Sequence, residues 1–170
     1  DCSALKTITI PDSVLVIGEY AFTANLALES VKIGKSLLQI GGYAFYRCET
    51  LTDLTFAANA ELSVIGEYAF SKSATMNLAT FDVKAKTLGD YSFKGCTKVE
   101  SITLSDDLTS IGNNVFENCS NLGEIVIPNT VTSMGGYSFS GCSSLTTAPE
   151  LPATTLAYHC YDQMFRDCSS

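Results

Sequence analysis

The chain has 170 residues, of which 46% are apolar and 16% charged, and so much apolar surface excludes a disordered chain. Ten Lys and Arg against 18 Asp and Glu give a net charge of −8, which argues against a nucleic-acid binder with its basic footprint and against docking on an anionic membrane surface. No apolar run approaches the roughly 18 residues of a membrane-spanning helix, and a single His with no Trp leaves little for acid–base chemistry at neutral pH.

The first element is a short strand, Leu5-x-x-Ile8-x-Ile10, closed by Pro11. Its last two apolar positions alternate, as in a strand with one buried face. Pro has no N–H to continue a ladder. Ile17-Gly18 and Tyr20-Ala21-Phe22 follow. The same series then returns along the chain. Strand halves recur at Leu28-Val31-Ile33, Leu51-Leu54-Phe56, Val99-Ile102-Leu104 and Leu122-Ile125-Ile127. A fourth one, shifted by two residues, reads Leu78-Phe81-Val83. The other halves recur as Tyr43-Ala44-Phe45, Tyr68-Ala69-Phe70, Tyr91-Ser92-Phe93, Asn114-Val115-Phe116 and Tyr137-Ser138-Phe139. These Phe residues are spaced 23, 25, 23, 23 and 23 apart, and Phe165 comes 26 later. A Gly stands four places before each of the first six: Gly18, Gly41, Gly66, Gly89, Gly112 and Gly135. Such a Gly suits a turn of positive φ or a close backbone approach. The Tyr-Ala-Phe stretch has room for one or two turns of α or 3₁₀ helix. The 25-residue step is one unit lengthened by a loop near Ala57-Ala58-Asn59-Ala60.

A unit of about 23 residues cannot bury its own apolar face, whereas stacked units bury a continuous core. Like residues then stack in columns. The Phe column becomes an aromatic spine, and Leu and Ile line the sheet side. The Ala or Ser before each Phe is small because the next coil passes close.

Segments such as Leu122-Gly-Glu-Ile-Val-Ile-Pro-Asn-Thr-Val-Thr-Ser-Met-Gly-Gly-Tyr-Ser-Phe-Ser-Gly-Cys-Ser144 resemble the BspA-like leucine-rich repeats. Asp1 to about Leu145 fits that pattern in six units. Residues 146–170, with Pro149, Pro152 and Cys160-Tyr-Asp-Gln-Met-Phe-Arg-Asp-Cys168, look like a longer variant unit. The resemblance implies an α/β leucine-rich repeat solenoid, right-handed. It would carry a short parallel sheet on one face and short 3₁₀ or α turns and loops on the other. It also implies cell-surface or extracellular placement and binding of host proteins, other cells or glycans. Residues 1–170 are expected to form a single repeat domain. Both ends fall inside a repeat, with no secretory leader before Asp1-Cys2-Ser3, so a piece of a longer array is expected.

Cys48, Cys96, Cys119, Cys142 and Cys168 share one column, three places after a Phe, and Cys2 falls in the same column after a Phe that would precede this sequence. Asn25 and Ser73 fill it in two units. Stacked side chains would point in parallel, which is poor disulfide geometry, so free buried thiols are expected. Cys160 alone is off the column, and its pairing with Cys168 stays open. Zinc needs converging ligands at short spacing, which this pattern does not offer. No cofactor motif is present, and His159 has no catalytic partner at a recognisable spacing.

Two surfaces could recognise a ligand. The outward strand positions form one column of Thr7, Ser30, Asp53, Thr80, Ser101 and Glu124, and a second of Thr9, Lys32, Thr55, Asp82, Thr103 and Val126. They could equally be a solvated face favoured by the β-propensity of Thr and Ser. The Tyr column could be a sugar-stacking platform, although rings packed over one another with wet hydroxyls are the plainer reading. The leading expectation is a non-enzymatic protein-binding or adhesion scaffold that recognises a host or cell-surface protein through the strand face. A carbohydrate-binding module in glycan uptake is the alternative, followed by a passive spacer. No cofactor, no nucleic acid and no membrane insertion by this segment are expected.

Overall fold

The computed structural model describes residues 4–58, 60, 62–76, 85–152 and 163–168. The Leu-x-x-Ile-x-Ile halves form the expected strands. β1 (Thr7–Ile10), β3 (Ser30–Ile33) and β5 (Asp53–Phe56) make one sheet in that order. β8 (Ser101–Thr103) and β10 (Glu124–Val126) make another. All pairings are parallel, with Thr7 beside Ser30 beside Asp53 and Ile8 beside Val31 beside Leu54. The shifted strand of the fourth unit, Leu78-Phe81-Val83, lies outside the described residues.

A second strip of sheet runs along the solenoid. It consists of β2 (Val16–Ile17), β4 (Gln39–Ile40), β6 (Val64–Ile65), β7 (Thr87–Leu88), β9 (Ser110–Ile111) and β11 (Ser133–Met134). Each contributes two residues, one outward and one buried. Two residues are too few to display a period of two, so the sequence shows only the buried Ile, Leu or Met of each pair. The result is a solenoid of parallel strands.

On the side of the Tyr-Ala-Phe stretches, the described residues form hydrogen-bonded turns where helical turns are expected. The backbone gives the reason. Tyr20, Tyr43, Tyr68, Tyr91, Asn114 and Tyr137 all have φ between 51° and 58°, a left-handed conformation that a right-handed helix cannot contain. A second left-handed residue follows four places on, as at Ala24, Arg47 and Lys72. Alternate amides divide the work. Thr23 N donates to Tyr20 O at 3.2 Å and closes a turn, while Phe22 N and Ala24 N reach forward to Ala44 O and Tyr46 O, each at 2.8 Å.

The repeated Gly is thus set by close approach and not by positive φ. A Cβ on Gly41 would lie 2.7 Å from Glu19 N, and one on Gly89 2.7 Å from Glu67 N. Of the lengthened unit's loop, Asn59 lies outside the described residues. Ala60 N donates to Ala57 O at 3.1 Å, and the ladder resumes with Ser63 N to Leu38 O at 2.8 Å.

The core is columnar. Phe45, Phe70, Phe93, Phe116 and Phe139 are fully buried. Successive rings from Phe22 to Phe165 stack with centroids between 5.1 and 5.8 Å apart. Ala44, Ala69, Ser92 and Ser138 beside them are buried as well. The cysteine column is one of hydrogen-bond donors. Cys48, Cys96, Cys119, Cys142 and Cys168 are free thiols. Each donates to the carbonyl of the preceding unit's Phe, for example Cys48 Sγ to Phe22 O at 3.2 Å and Cys142 Sγ to Phe116 O at 3.1 Å. Ser73 Oγ does the same to Phe45 O at 2.8 Å, which explains why Ser can stand in the column. Cys2 and Cys160 lie outside the described residues.

Candidate recognition surfaces

The strand face is built by the pleat. Val31, Ile33, Ile102 and Ile125 turn inward and are buried, so their sequence neighbours must turn outward. Thr7, Thr9, Lys32, Asp53, Thr55, Ser101, Thr103, Glu124 and Val126 are exposed, and Ser30 is half-buried. Parallel register aligns them into the two expected columns: Thr9, Lys32 and Thr55 are direct neighbours, and so are Ser101 and Glu124. Thr80 and Asp82 lie outside the described residues.

This face has relief as well as chemistry. Thr9, Lys32 and Thr55 line a shallow groove of about 450 Å³ with Asp12 and Phe56. A larger cleft of about 760 Å³ lies further along, beside Glu124 and Val126. The sequence places the columns but gives no sign of either depression, because both depend on how the coil ends leave the sheet. Among the described members of the two columns, Lys32 is the one cation, against the carboxylates of Asp53 and Glu124. Val126 is 71% exposed and gives the otherwise polar face an apolar point.

The Tyr column forms a second ordered surface. Tyr20, Tyr43, Tyr68 and Tyr91 stack with centroids 4.9, 4.8 and 4.5 Å apart and rings within 13° of parallel. Tyr46 meets Tyr43 edge-on at 5.5 Å. Lys94 Nζ lies over the Tyr91 ring, 5.2 Å from its centroid, where Asn114 interrupts the series. Partial burial, then the charge of Glu67, pushes the Tyr43 phenol up; burial and the neighbouring phenols do the same to Tyr68. Tyr43 and Tyr68 therefore spend both ring faces on their neighbours, while Tyr20, 58% exposed, stacks on one side alone among the described residues. Sugar stacking needs an open ring face, so the inner rings of the ladder are a poor glycan platform.

The remaining chemistry is sparse. Among the described residues no group of three or more His, Cys, Asp and Glu could hold a metal ion. Burial pushes the Cys48 and Cys96 thiols up to about 11 and about 12, which makes them poor nucleophiles. His159 lies outside the described residues.

Stacked turns, a parallel strand strip and an outward face of variable side chains define a repeat scaffold. The family model described as "BspA type Leucine rich repeat region" matches in six copies, over residues 1–84 and 55–170, and the chain belongs to that family. It is similar to a leucine rich cell surface protein from Faecalibacterium prausnitzii, with a TM-score of 0.73 and 27% identity over 88% of this chain and 40% of that one. A leucine-rich repeat protein from Bacteroides ovatus gives a TM-score of 0.56 and 26% identity, covering 82% of this chain and 42% of that one. The leucine rich repeat protein of T. pallidum, at 21% identity, shares the fold, with a TM-score of 0.65 over 89% of this chain and 88% of that one. The present chain thus spans 40% of the length of the Faecalibacterium protein. No curated protein matches it.

Proposed function

We propose that this solenoid is a non-enzymatic binding scaffold displayed at a cell surface, and that its strand face recognises a host or cell-surface protein. The observation that carries this reading is the contrast within each strand. Inward residues repeat from coil to coil, while their outward neighbours read Thr9, Lys32, Thr55 in direct register and line a groove. A solvated face with no task would gain nothing from relief, and extended repeat surfaces are well suited to distributed recognition. Placement at the surface is supported by the Faecalibacterium protein, which is described as a cell surface protein.

The test is surface plasmon resonance against a panel of host matrix proteins and a glycan array. The wild type is compared with a Lys32→Glu, Asp53→Lys double variant and with Tyr43→Ala, all checked for folding by circular dichroism. Protein binding that is lost in the strand-face variant and kept in Tyr43→Ala is the expected result. Glycan retention lost only in Tyr43→Ala would overturn the reading in favour of the ladder. No binding at all, with the parent protein's activity intact in the double variant, would leave the segment a spacer.

A further inference from the structure

Among the described residues the strand ladder ends at β10, and Pro149 stands at a donor position of the coil that follows. In the first coils Ser30 N donates to Lys6 O at 3.1 Å and Gly34 N to Ile10 O at 2.9 Å. The parallel register places Lys32 N between them, facing Ile8 O. Carrying the same step to the last coil puts Thr147 opposite Gly123 O, Pro149 opposite Ile125 O and Leu151 opposite Ile127 O. Pro149 has no N–H to give. Ser144 N still donates to Ser120 O at 3.1 Å, but among the described residues no bond joins Thr147 or Leu151 to β10. Among the described residues β10 is thus an edge of its sheet.

The gap between β10 and Thr146–Glu150 is the 760 Å³ cleft. The alternation of a parallel strand points the N–H and C=O of Ile125 and Ile127 into it. Val126, Pro128 and Pro149 supply apolar walls, and Asp106, Glu124 and Glu150 supply three carboxylates, with no Lys, Arg or His among the described lining residues. An unpaired strand edge selects an extended backbone. An acidic lining on a chain of net charge −8 selects a basic one and steers its approach.

We infer that this cleft takes an extended Lys- or Arg-rich segment of a partner protein, added as a further strand on β10. The inference rests on the strand-face reading and deepens it by naming the partner's backbone conformation and charge. A second copy of this acidic chain is disfavoured by like charge.

The probe is a fluorescein-labelled peptide of four Lys-Val repeats, titrated with the folded chain and followed by anisotropy. Its control is a peptide of identical composition with alternating D and L residues, which keeps the charge and loses the pleated strand. Tighter binding of the all-L peptide, by about tenfold or more, is expected from the added edge hydrogen bonds. Glu124→Lys with Glu150→Lys weakens it by about tenfold through lost charge complementarity. Pro149→Thr also weakens it, because the restored amide lets the coil's own strand close on Ile125. Equal binding of both peptides would mean charge without strand addition and would overturn the inference. So would absence of binding, whatever the exchange of the Ile125 amide. A protected amide in the free chain would then mean that the edge is already covered within the chain, or by a second copy if protection rises with concentration. Lys32→Glu with Asp53→Lys should leave peptide binding unchanged. If that pair abolishes matrix-protein binding while the peptide never binds, this inference fails and the strand-face reading stands.

Discussion

Phe45, Phe70 and Phe116 repeat one residue at one place in their coils, whereas the strands of the same coils carry Lys32, Thr55 and Thr103 outward. The difference follows from what each position touches. A Phe in the spine meets its counterparts in the coils before and after at 5.1 to 5.8 Å. A smaller residue there would open a cavity against both neighbours. An outward strand residue meets its counterparts along one edge and water elsewhere, so its identity is free to vary. The turn side holds the solenoid together, and the strand side is available for recognition.

The largest expected effect comes from cutting the spine. Phe93 is fully buried and stacked on both sides, at 5.4 and 5.8 Å. Phe93→Ala should cost about 3–5 kcal/mol, read as a lowered urea midpoint. A loss below about 1 kcal/mol would show that the spine is decoration on a core held elsewhere.

The glycine column gives a sharper test, because it contains its own control. Gly89→Ala drives a Cβ to 2.7 Å from both Glu67 N and the Gly66 carbonyl carbon, and backbone cannot yield as a side chain can. It should cost about 1–3 kcal/mol through overpacking. Gly18 occupies the same column in the first coil of this 170-residue sequence, with nothing within 4 Å of its Cβ, so in this chain Gly18→Ala should change stability by less than about 0.5 kcal/mol. Equal losses at the two sites would return the column to a conformational role.

The thiol column predicts an alkaline limit. Burial pushes Cys48 up to about 11 and Cys96 up to about 12, from an ordinary value of 9.0. The folded chain therefore keeps protons that the unfolded chain releases. The contribution is complete below pH 9.0 and is lost progressively as pH rises from there to about 12. Urea midpoints measured from pH 8 upward should fall over that range, and Cys48→Ser with Cys96→Ser should flatten the decline. Cys142→Ser should be nearly neutral at pH 7, since Ser73 already serves in this column. Cys142→Ala should cost about 1 kcal/mol for the donation lost to Phe116 O.

Most of this architecture is legible from spacing alone. The 23-residue step fixes the strands, the Phe spine, the free thiols and the outward columns, because each is a consequence of stacking like on like. Three features are not legible, each for a local reason. The second strip, such as Val16–Ile17, is too short to show a period. The left-handed backbone falls on Tyr20 and Tyr43 and not on the Gly beside them, against the usual preference for Gly. The stack of neighbouring coils holds those Tyr residues in place, so no local preference announces it. The cleft beside β10 depends on Pro149 sitting at a donor position, and that meaning appears only once the register is known.

The smallest expected effect on stability falls on the strand face, and it decides whether the two sides differ in kind. Lys32 is exposed, and its direct neighbours are Thr9 and Thr55. Among the described residues no carboxylate pairs with it. Lys32→Glu therefore breaks no ion pair among the described residues, and its urea midpoint should correspond to a change within about 0.5 kcal/mol. The same substitution reverses the single positive charge in the described columns, so any partner steered by that charge should bind more slowly, with the loss concentrated in the association rate and reduced by added salt. A destabilisation above about 1 kcal/mol would make Lys32 a structural residue and erase the distinction between the sides. An unchanged midpoint with a changed association rate would show that the face is tuned independently of the fold, as a scaffold needs if one spine is to carry many different faces.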